Sequence, residues 1–324
     1  MTKQIFITRR IPAKAEEMLR AKGYEVMVSQ KDGILTREEL KAELARIPYD
    51  AVIPLLTDAI DADMIAAMPN SVKVIATYSV GYNHIDVPAA HARGMVVANT
   101  PDVLTSTVAE HTVALALTVA SRIAEGDRYI REGKFVGWEP MLILGTDIKG
   151  KTLGLIGAGR IGSEVAGIFH KGFGMNVVYS DLKKNEALEA ICDAKFLKTN
   201  DDVLALADIV SIHVPLLPET MHLINAERLR MMKKNAILIN TSRGPVVDEV
   251  ALVEALKNGT IRGAGLDVFE FEPKVSPGLL NLENVVLNPH LASATEETRG
   301  KMAEMAAINV IEVLEGRVAP NAII

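Results

Sequence analysis

Halfway along the chain, the apolar run Lys151-Thr-Leu-Gly-Leu-Ile156 ends in Gly157-Ala-Gly159-Arg-Ile-Gly162. A helical stretch to Gly172 follows, and a second apolar run, Asn176-Val-Val-Tyr-Ser, closes on Asp181. Strand, glycine-rich turn, helix and second strand ending in an acid, about twenty residues on, make a βαβ unit with a dinucleotide fingerprint. Gly157 allows the tight turn. Gly159 has no Cβ, so backbone can approach a pyrophosphate. Gly162 lets the helix pack close to the strand. The helix N-terminus offers free N–H groups and the positive end of its dipole to phosphates. A G-x-G-x-x-G by itself is also compatible with a flexible loop; the complete unit around this one points to a bound dinucleotide.

At 324 residues the chain is too long for one small core, and two domains are the default. A net charge of −6 gives no basic footprint for nucleic acid or an anionic membrane. The longest apolar run, Val113 to Ala120, is less than half a membrane span. The first residues read as a strand rather than a signal peptide. One cysteine, Cys192, excludes an internal disulfide and fits a reducing cytosol, so a cytoplasmic location is expected. In Leu188-Glu-Ala-Ile-Cys-Asp193 it reads as a small apolar filler of a helix.

The first hundred residues alternate candidate strands (4–8, 25–29, 51–56, 73–78, 95–99) with helices (13–22, 37–47, 62–68, 88–93). Thr36-Arg-Glu-Glu39 is a capping box. Such alternation implies a parallel sheet covered on both faces. A helix from Thr105 to Arg122 is apolar almost all round, which predicts burial between domains or subunits and suggests a homodimer. Residues 133–149, with the only tryptophan, Trp138, read as irregular. A second series then gives strands at 152–156, 177–180, 209–214, 236–241, 263–268 and 285–288, with helices at 161–171, 202–207, 226–232 and 249–257. Six strands with helical crossovers match a complete doubly wound nucleotide domain. A final helix, 296–315, is expected to return to the first domain. The reading is therefore α/β, with two doubly wound parallel-sheet domains. Residues 1–101 and 290–324 form a flavodoxin-like substrate domain, and 102–289 a Rossmann NAD-binding domain.

Three charged residues follow strands of the second series: Arg243 in Asn240-Thr-Ser-Arg-Gly244, Glu272 in Phe269-Glu-Phe-Glu-Pro273, and His290 in Asn288-Pro-His-Leu-Ala292. Ligands of doubly wound sheets bind outside the carboxyl ends of the strands. A guanidinium grips a carboxylate with two hydrogen bonds. An imidazole gives a proton to a carbonyl oxygen while hydride reaches carbon. A glutamate bonded to that imidazole stabilises its protonated form. Singly, each reads equally well as a surface arginine, a capping glutamate and a core histidine. Together, beside a nicotinamide, they describe reduction of a 2-keto acid.

These motifs resemble the D-isomer-specific 2-hydroxyacid dehydrogenases, and within them most the glyoxylate/hydroxypyruvate reductases. Besides the stretches above, Ser79-Val-Gly-Tyr-Asn-His-Ile-Asp86, His213-Val-Pro-Leu216, Gly265-Leu-Asp-Val268 and Ser293-Ala-Thr295 run in family order, over essentially the whole chain. The resemblance implies Arg243 on the substrate carboxylate, His290 as general acid/base and Glu272 as its partner. It implies backbone N–H groups of Val80 and Gly81 on the same carboxylate, Leu55 lining the pocket, and Asp267 holding the nicotinamide carboxamide. Val108, Arg160, Ile161, His213, Pro215 and Thr241 then line the cofactor groove. Val136-Gly-Trp-Glu-Pro-Met-Leu142 is similar to a loop that reaches the neighbouring subunit's active site. Asn83 stands where the family often has Asp, and Leu291-Ala292 replaces the common Ile-Gly; neither change touches the three reactive side chains. The other histidines, His84, His91, His111, His170 and His222, read as surface or packing residues, and no metal is expected.

Asp181 lies where the adenine ribose would sit; a carboxylate there accepts from ribose hydroxyls and repels a 2′-phosphate. NAD is expected over NADP, although Lys183 and Lys184 soften that repulsion. The resemblance implies the D hand at carbon 2, and Leu55, Leu56 and Trp138 suggest a small apolar pocket for glyoxylate or hydroxypyruvate. Short-form D-3-phosphoglycerate dehydrogenase and D-lactate dehydrogenase are alternatives. A non-enzymatic one is an NAD(H)-sensing corepressor of this fold, though such proteins usually carry long disordered tails. Phosphite dehydrogenases have a lysine at the position of Val80, and formate dehydrogenases a glutamine at that of Glu272.

Overall fold

The computed structural model describes residues 2–31 and 33–324. The chain divides into two compact units: one holds the chain up to Leu104 together with Ala294–Ile324, the other Thr105–Ser293.

The first unit is built on five parallel strands: β1 (Gln4–Ile7), β2 (Glu25–Val28), β3 (Ala51–Ile53), β4 (Val74–Ala76) and β5 (Val96–Ala98). Their order, β2-β1-β3-β4-β5, is the flavodoxin-like one. β1, β3, β4 and β5 are largely buried, whereas only Val26 of the edge strand β2 is, and buried parallel strands read as short apolar runs without alternation. On one face Phe6, Val52 and Ile75 pack with Leu40, Leu44 and Met64 of the helices Arg37–Arg46 and Ala62–Ala67. The last helix, Glu296–Leu314, packs against β4, β5 and the helix Lys14–Ala21, burying Ala303, Ala306, Ala307 and Val310. Its buried Asn309 donates to the Asn99 carbonyl at 3.0 Å. The capping box forms: Glu39 N–H donates to Thr36 Oγ1, and Thr36 N–H to Glu39 Oε2. Asp61 and Asp86 each cap one of the next two helices through a side-chain oxygen.

The second unit carries seven parallel strands: β6 (Thr152–Ile156), β7 (Asn176–Ser180), β8 (Lys195–Phe196), β9 (Ile209–Ile212), β10 (Ile237–Asn240), β11 (Gly263–Leu266) and β12 (Val285–Leu287). The order is β12-β11-β10-β9-β6-β7-β8. Counted from β6 this is the Rossmann 3-2-1-4-5-6 arrangement with a seventh strand added beyond β11, and the direction of winding reverses between β6 and β9.

Besides short helical turns such as Pro277–Leu280, two elements lie outside the sequence reading. β8 is two residues long, pairs only with β7, and carries no periodicity to detect. The helix Ile123–Arg131 has Ile123 and Ile130 on one face, yet it buries none of its residues. The long helix ends at Ala120 rather than Arg122, because Arg122 turns left-handed at φ 55°. Its apolar character has a local cause. It packs on β10, β11 and β12 and against the helix Arg160–Phe173 of the same unit, burying Val108, Ala109, Val113, Leu115, Ala116 and Val119. Most of the burial expected at an interface is thus supplied by the unit itself. No helix among the described residues is long and apolar enough to cross a membrane.

Candidate active site

The glycine turn follows β6 at the point where the winding reverses. Gly157 has φ +91°, and a Cβ there would lie 2.9 Å from the His213 backbone carbonyl. A Cβ on Gly162 would lie 2.4 Å from the Gly157 carbonyl oxygen. These two glycines are therefore demanded by the fold, because turn, helix and the segment after β9 meet there. Gly159 differs: a Cβ would meet no protein atom within 4 Å. Nothing in the chain needs glycine at that position, whereas a pyrophosphate laid on the backbone does. The helix Arg160–Phe173 starts at Gly159 without a side-chain cap, so its first N–H groups stay available to an anion. Asp181, at the end of β7, accepts from Ala158 N–H at 2.7 Å and so ties the second strand to the turn. Lys184 lies over the Phe196 ring, and among the described residues no ion pair joins Asp181 to Lys183 or Lys184. These residues fit a dinucleotide.

His213 sits under this turn with its Nε2 2.8 Å from Ser211 Oγ. Desolvation pushes its pKa down to about 4, so the ring is neutral at physiological pH. Ile161 packs on the core of the unit, Val108 is buried, and Thr241 shares a 2.9 Å hydrogen bond with Thr112. Arg160 is exposed at the start of the helix, and Pro215 follows β9.

Arg243, Glu272 and His290 follow β10, β11 and β12, three strands adjacent in the sheet. His290 Nδ1 lies 3.0 Å from Glu272 Oε2. The other oxygen of Glu272 accepts from Phe269 N–H at 2.9 Å, which fixes the carboxylate against its own loop. Burial alone would raise the Glu272 pKa. The hydrogen bond and charge of His290, the Phe269 N–H and the Arg243 charge outweigh it, and the net shift is downward. Glu272 is thus an anion at working pH. The Arg243 pKa is lowered by burial, with Glu272 opposing; a guanidinium keeps its proton regardless. Its Nη1 donates to the Ser242 carbonyl at 2.7 Å, and Asn240 Nδ2 donates to the Arg243 carbonyl. Such an arrangement holds a cation for a carboxylate and a histidine whose Nε2 is left for proton transfer.

Asp267 has a visible task other than the expected carboxamide contact. It has no exposed surface, and its carboxylate accepts from Leu291 N–H at 2.7 Å and Ala292 N–H at 2.8 Å. Its carbonyl accepts from His290 N–H. Asp267 therefore staples the His290 loop to the end of β11. His111, from the long helix, joins this network 3.1 Å from Asn288 Nδ2 and 3.5 Å from Asp267 Oδ1. In sequence His111 reads as a packing residue; its partners lie more than 150 residues away, so nothing local marks it. Asn185 also escapes the sequence reading. It caps the helix Glu186–Cys192 and donates to the Ala158 carbonyl at 2.7 Å, bracing the glycine turn. Its short polar side chain before an acidic turn is the available signal. Cys192 is buried at the end of that helix.

The expected carboxylate cradle belongs to the first unit. Asn99 Nδ2 holds the Val80 carbonyl and Ser79 Oγ the Gly81 carbonyl, both at 2.7 Å. Thr77 Oγ1 contacts both Ser79 Oγ and His84 Nε2. Leu55 N–H donates to buried Asp58, which also accepts from Thr8. Trp138, in the second unit, is 83% exposed, and Val136 and Met141 of the same segment are similarly open.

A Rossmann sheet with this turn, and with ionic side chains gathered on three neighbouring strand ends, places the molecule in the class of NAD(P)-dependent oxidoreductases. Residues 113–292 match the family model of the D-isomer specific 2-hydroxyacid dehydrogenase, NAD binding domain. A glyoxylate reductase of Thermofilum pendens is 49% identical over 320 residues, 98% of this chain and 93% of that protein. One from Korarchaeum cryptofilum is 47% identical, covering 99% of this chain and 96% of that one. Among solved structures, the TT0316 protein of Thermus thermophilus superposes with a TM-score of 0.92 at 44% identity, over 99% of this chain and 100% of that one. An NADPH-dependent glyoxylate/hydroxypyruvate reductase of Sinorhizobium meliloti, solved with NADP and malonate, gives 0.86 at 31%, over 100% and 97%. The chain belongs to the D-isomer-specific 2-hydroxyacid dehydrogenases.

Proposed function

We propose that this protein reduces glyoxylate, and hydroxypyruvate beside it, to the 2-hydroxy acid, with NADH as the preferred reductant. The observation that carries the reading is the 3.0 Å contact between His290 Nδ1 and Glu272, with Arg243 on the adjoining strand end. A bound reduced nicotinamide supplies hydride to carbon 2 of the keto acid. Arg243 holds the substrate carboxylate in a bidentate fork, which orients the carbonyl. His290, its Nδ1 engaged by Glu272, delivers a proton from Nε2 to the carbonyl oxygen as the alkoxide forms. Charge balances: one hydride and one proton add across the C=O bond, and His290 is left neutral. Anionic Glu272 stabilises the imidazolium before transfer and orients the ring.

NADH is favoured because the Asp181 carboxylate follows β7, where it accepts from ribose hydroxyls and repels a 2′-phosphate, a repulsion that Lys183 and Lys184 soften. The Sinorhizobium relative, named for NADPH, makes coenzyme choice a measurement to be made on this chain. The exposed segment 133–147 supports a homodimer, in which Val136, Trp138 and Met141 are covered by a second copy. The single, buried cysteine fits the cytoplasm. The test is a rate panel of glyoxylate, hydroxypyruvate, pyruvate and phosphohydroxypyruvate with NADH and with NADPH. Highest kcat/KM for glyoxylate with NADH is expected; a preference for phosphohydroxypyruvate would move the protein to the phosphoglycerate branch, and no turnover with any acid would end the enzymatic reading.

A further inference from the structure

His222 lies on none of the three strand ends just described, yet it is bonded to two of the loops that leave them. Its backbone N–H donates to the Pro245 carbonyl at 2.8 Å, two residues beyond Arg243. Its Nε2 lies 2.6 Å from Glu270 Oε1, two residues before Glu272. We propose that His222 is a positioning residue that fastens the Arg243 loop to the Glu272 loop and so sets the spacing of those two side chains. The proposal rests on the catalytic reading given above.

The surroundings of His222 are built for this. The next residues continue the contact: Ile224 N–H donates to the Val246 carbonyl and Asp248 N–H to the Ile224 carbonyl, each at 3.0 Å. Gly244 presses on the second loop so closely that a Cβ would fall 1.8 Å from the Phe269 carbonyl oxygen. The two loops therefore touch through backbone at that point, and His222 closes the contact from the side. Glu270 is held from behind as well. Its Oε2 accepts from Glu249 N–H, while the buried Glu249 carboxylate accepts from Glu270 N–H and from Ser276 Oγ. From Glu270 the chain runs to Glu272, whose carboxylate turns back to Phe269 N–H.

Backbone geometry points the same way. His222 has φ +49°, in the left-handed region that residues with a Cβ seldom occupy; His290, at φ +56°, shares the feature. Strain of this kind persists where surrounding contacts over-determine it, and it gathers at functional sites. The imidazole is 42% exposed against 11% for Glu270, so the ion pair is weak as a source of stability. Its value lies in geometry. A neutral ring with its proton on Nε2 makes the same bond as the cation, and the exposed ring leaves no cavity when removed.

The experiment compares His222→Ala with His222→Gln, whose amide still donates to Glu270. kcat and KM for glyoxylate, NADH affinity by fluorescence titration, and hydrogen exchange at residues 244–247 and 269–272 are measured for each. In the alanine variant we expect kcat/KM to fall about ten- to a hundredfold, the scale of a sub-ångström to 1 Å misplacement. NADH affinity should stay within about twofold, because the glycine turn is untouched, and faster exchange should be confined to the two loops. The glutamine variant should recover most of the loss. Normal kcat/KM in His222→Ala, equal loss in both variants, or a parallel loss of NADH affinity would each overturn the proposal. His290→Ala, run beside them, keeps the two questions apart. If it stays active, the catalytic reading itself fails; if it is dead while His222→Ala is fully active, only the positioning role is lost.

Discussion

At His290 the hydrogen-bond partner decides which nitrogen works. Glu272 engages Nδ1, so in the proposed reaction Nε2 is the nitrogen that meets the substrate oxygen. Replacing His290 with Ala should cut turnover by about a hundred- to ten-thousandfold, the range for losing a general acid; steady-state kinetics with glyoxylate and NADH decide it. Arg243→Ala removes a charged hydrogen bond worth roughly 1.5–3 kcal/mol. Its kcat/KM should drop at least about tenfold, and an unchanged value would place the carboxylate elsewhere. His213 makes a pH prediction. Its folded pKa, about 4, lies below the ordinary histidine value of 6.5, because burial disfavours the charged ring. Between those values the unfolded chain binds a proton that the native one refuses, so stability rises with pH across that window. Acidification from pH 6.5 to 4 should cost on the order of 3 kcal/mol through this residue alone. Urea midpoints of His213→Gln, measured without coenzyme, should fall less steeply than those of the wild type.

Among the elements, the glycine turn and β7 act as one piece, since Asp181 reaches back to Ala158 N–H and Asn185 to the Ala158 carbonyl. Asp181→Ala removes a brace of the turn and, on the proposed reading, the charge that repels a 2′-phosphate. NADPH should gain on NADH by at least about tenfold in kcat/KM, on the scale of one charge-assisted hydrogen bond, with NADH itself losing affinity. An unchanged NADH/NADPH ratio would remove Asp181 from coenzyme choice. Element positions are largely legible in the sequence, because buried parallel strands are short β-branched runs and the helices between them carry caps such as Thr36 and Asp61. Two elements stay outside the reading: β8 has only two residues, and the helix Ile123–Arg131 buries none of its residues.

On the scale of the whole molecule, the exposed apolar surface bears on association. Phe135, Val136, Trp138 and Met141 are more than half exposed within one short irregular segment. A homodimer covering them is expected, and Val136→Ser with Trp138→Ser should shift sedimentation toward the monomer. If the double variant sediments as the wild type does, this segment is not what holds two copies together. The long helix needs no interface to explain its composition, since β10, β11, β12 and the helix Arg160–Phe173 cover its apolar residues within one unit.

Sequence by itself determined the α/β class, the glycine turn and the three residues placed at strand ends. Each of these is written in local signals: period, turn chemistry, and the rule that loops after parallel strands face one edge. Tertiary structure alone decided which groups meet. Asp267 holds the Leu291 and Ala292 amides, His111 reaches Asn288, and His222 joins loops at Pro245 and Glu270. The physical reason is distance along the chain. A hydrogen bond forms where the fold brings donor and acceptor within about 3 Å, and no residue's neighbours in sequence record a partner dozens or hundreds of positions away.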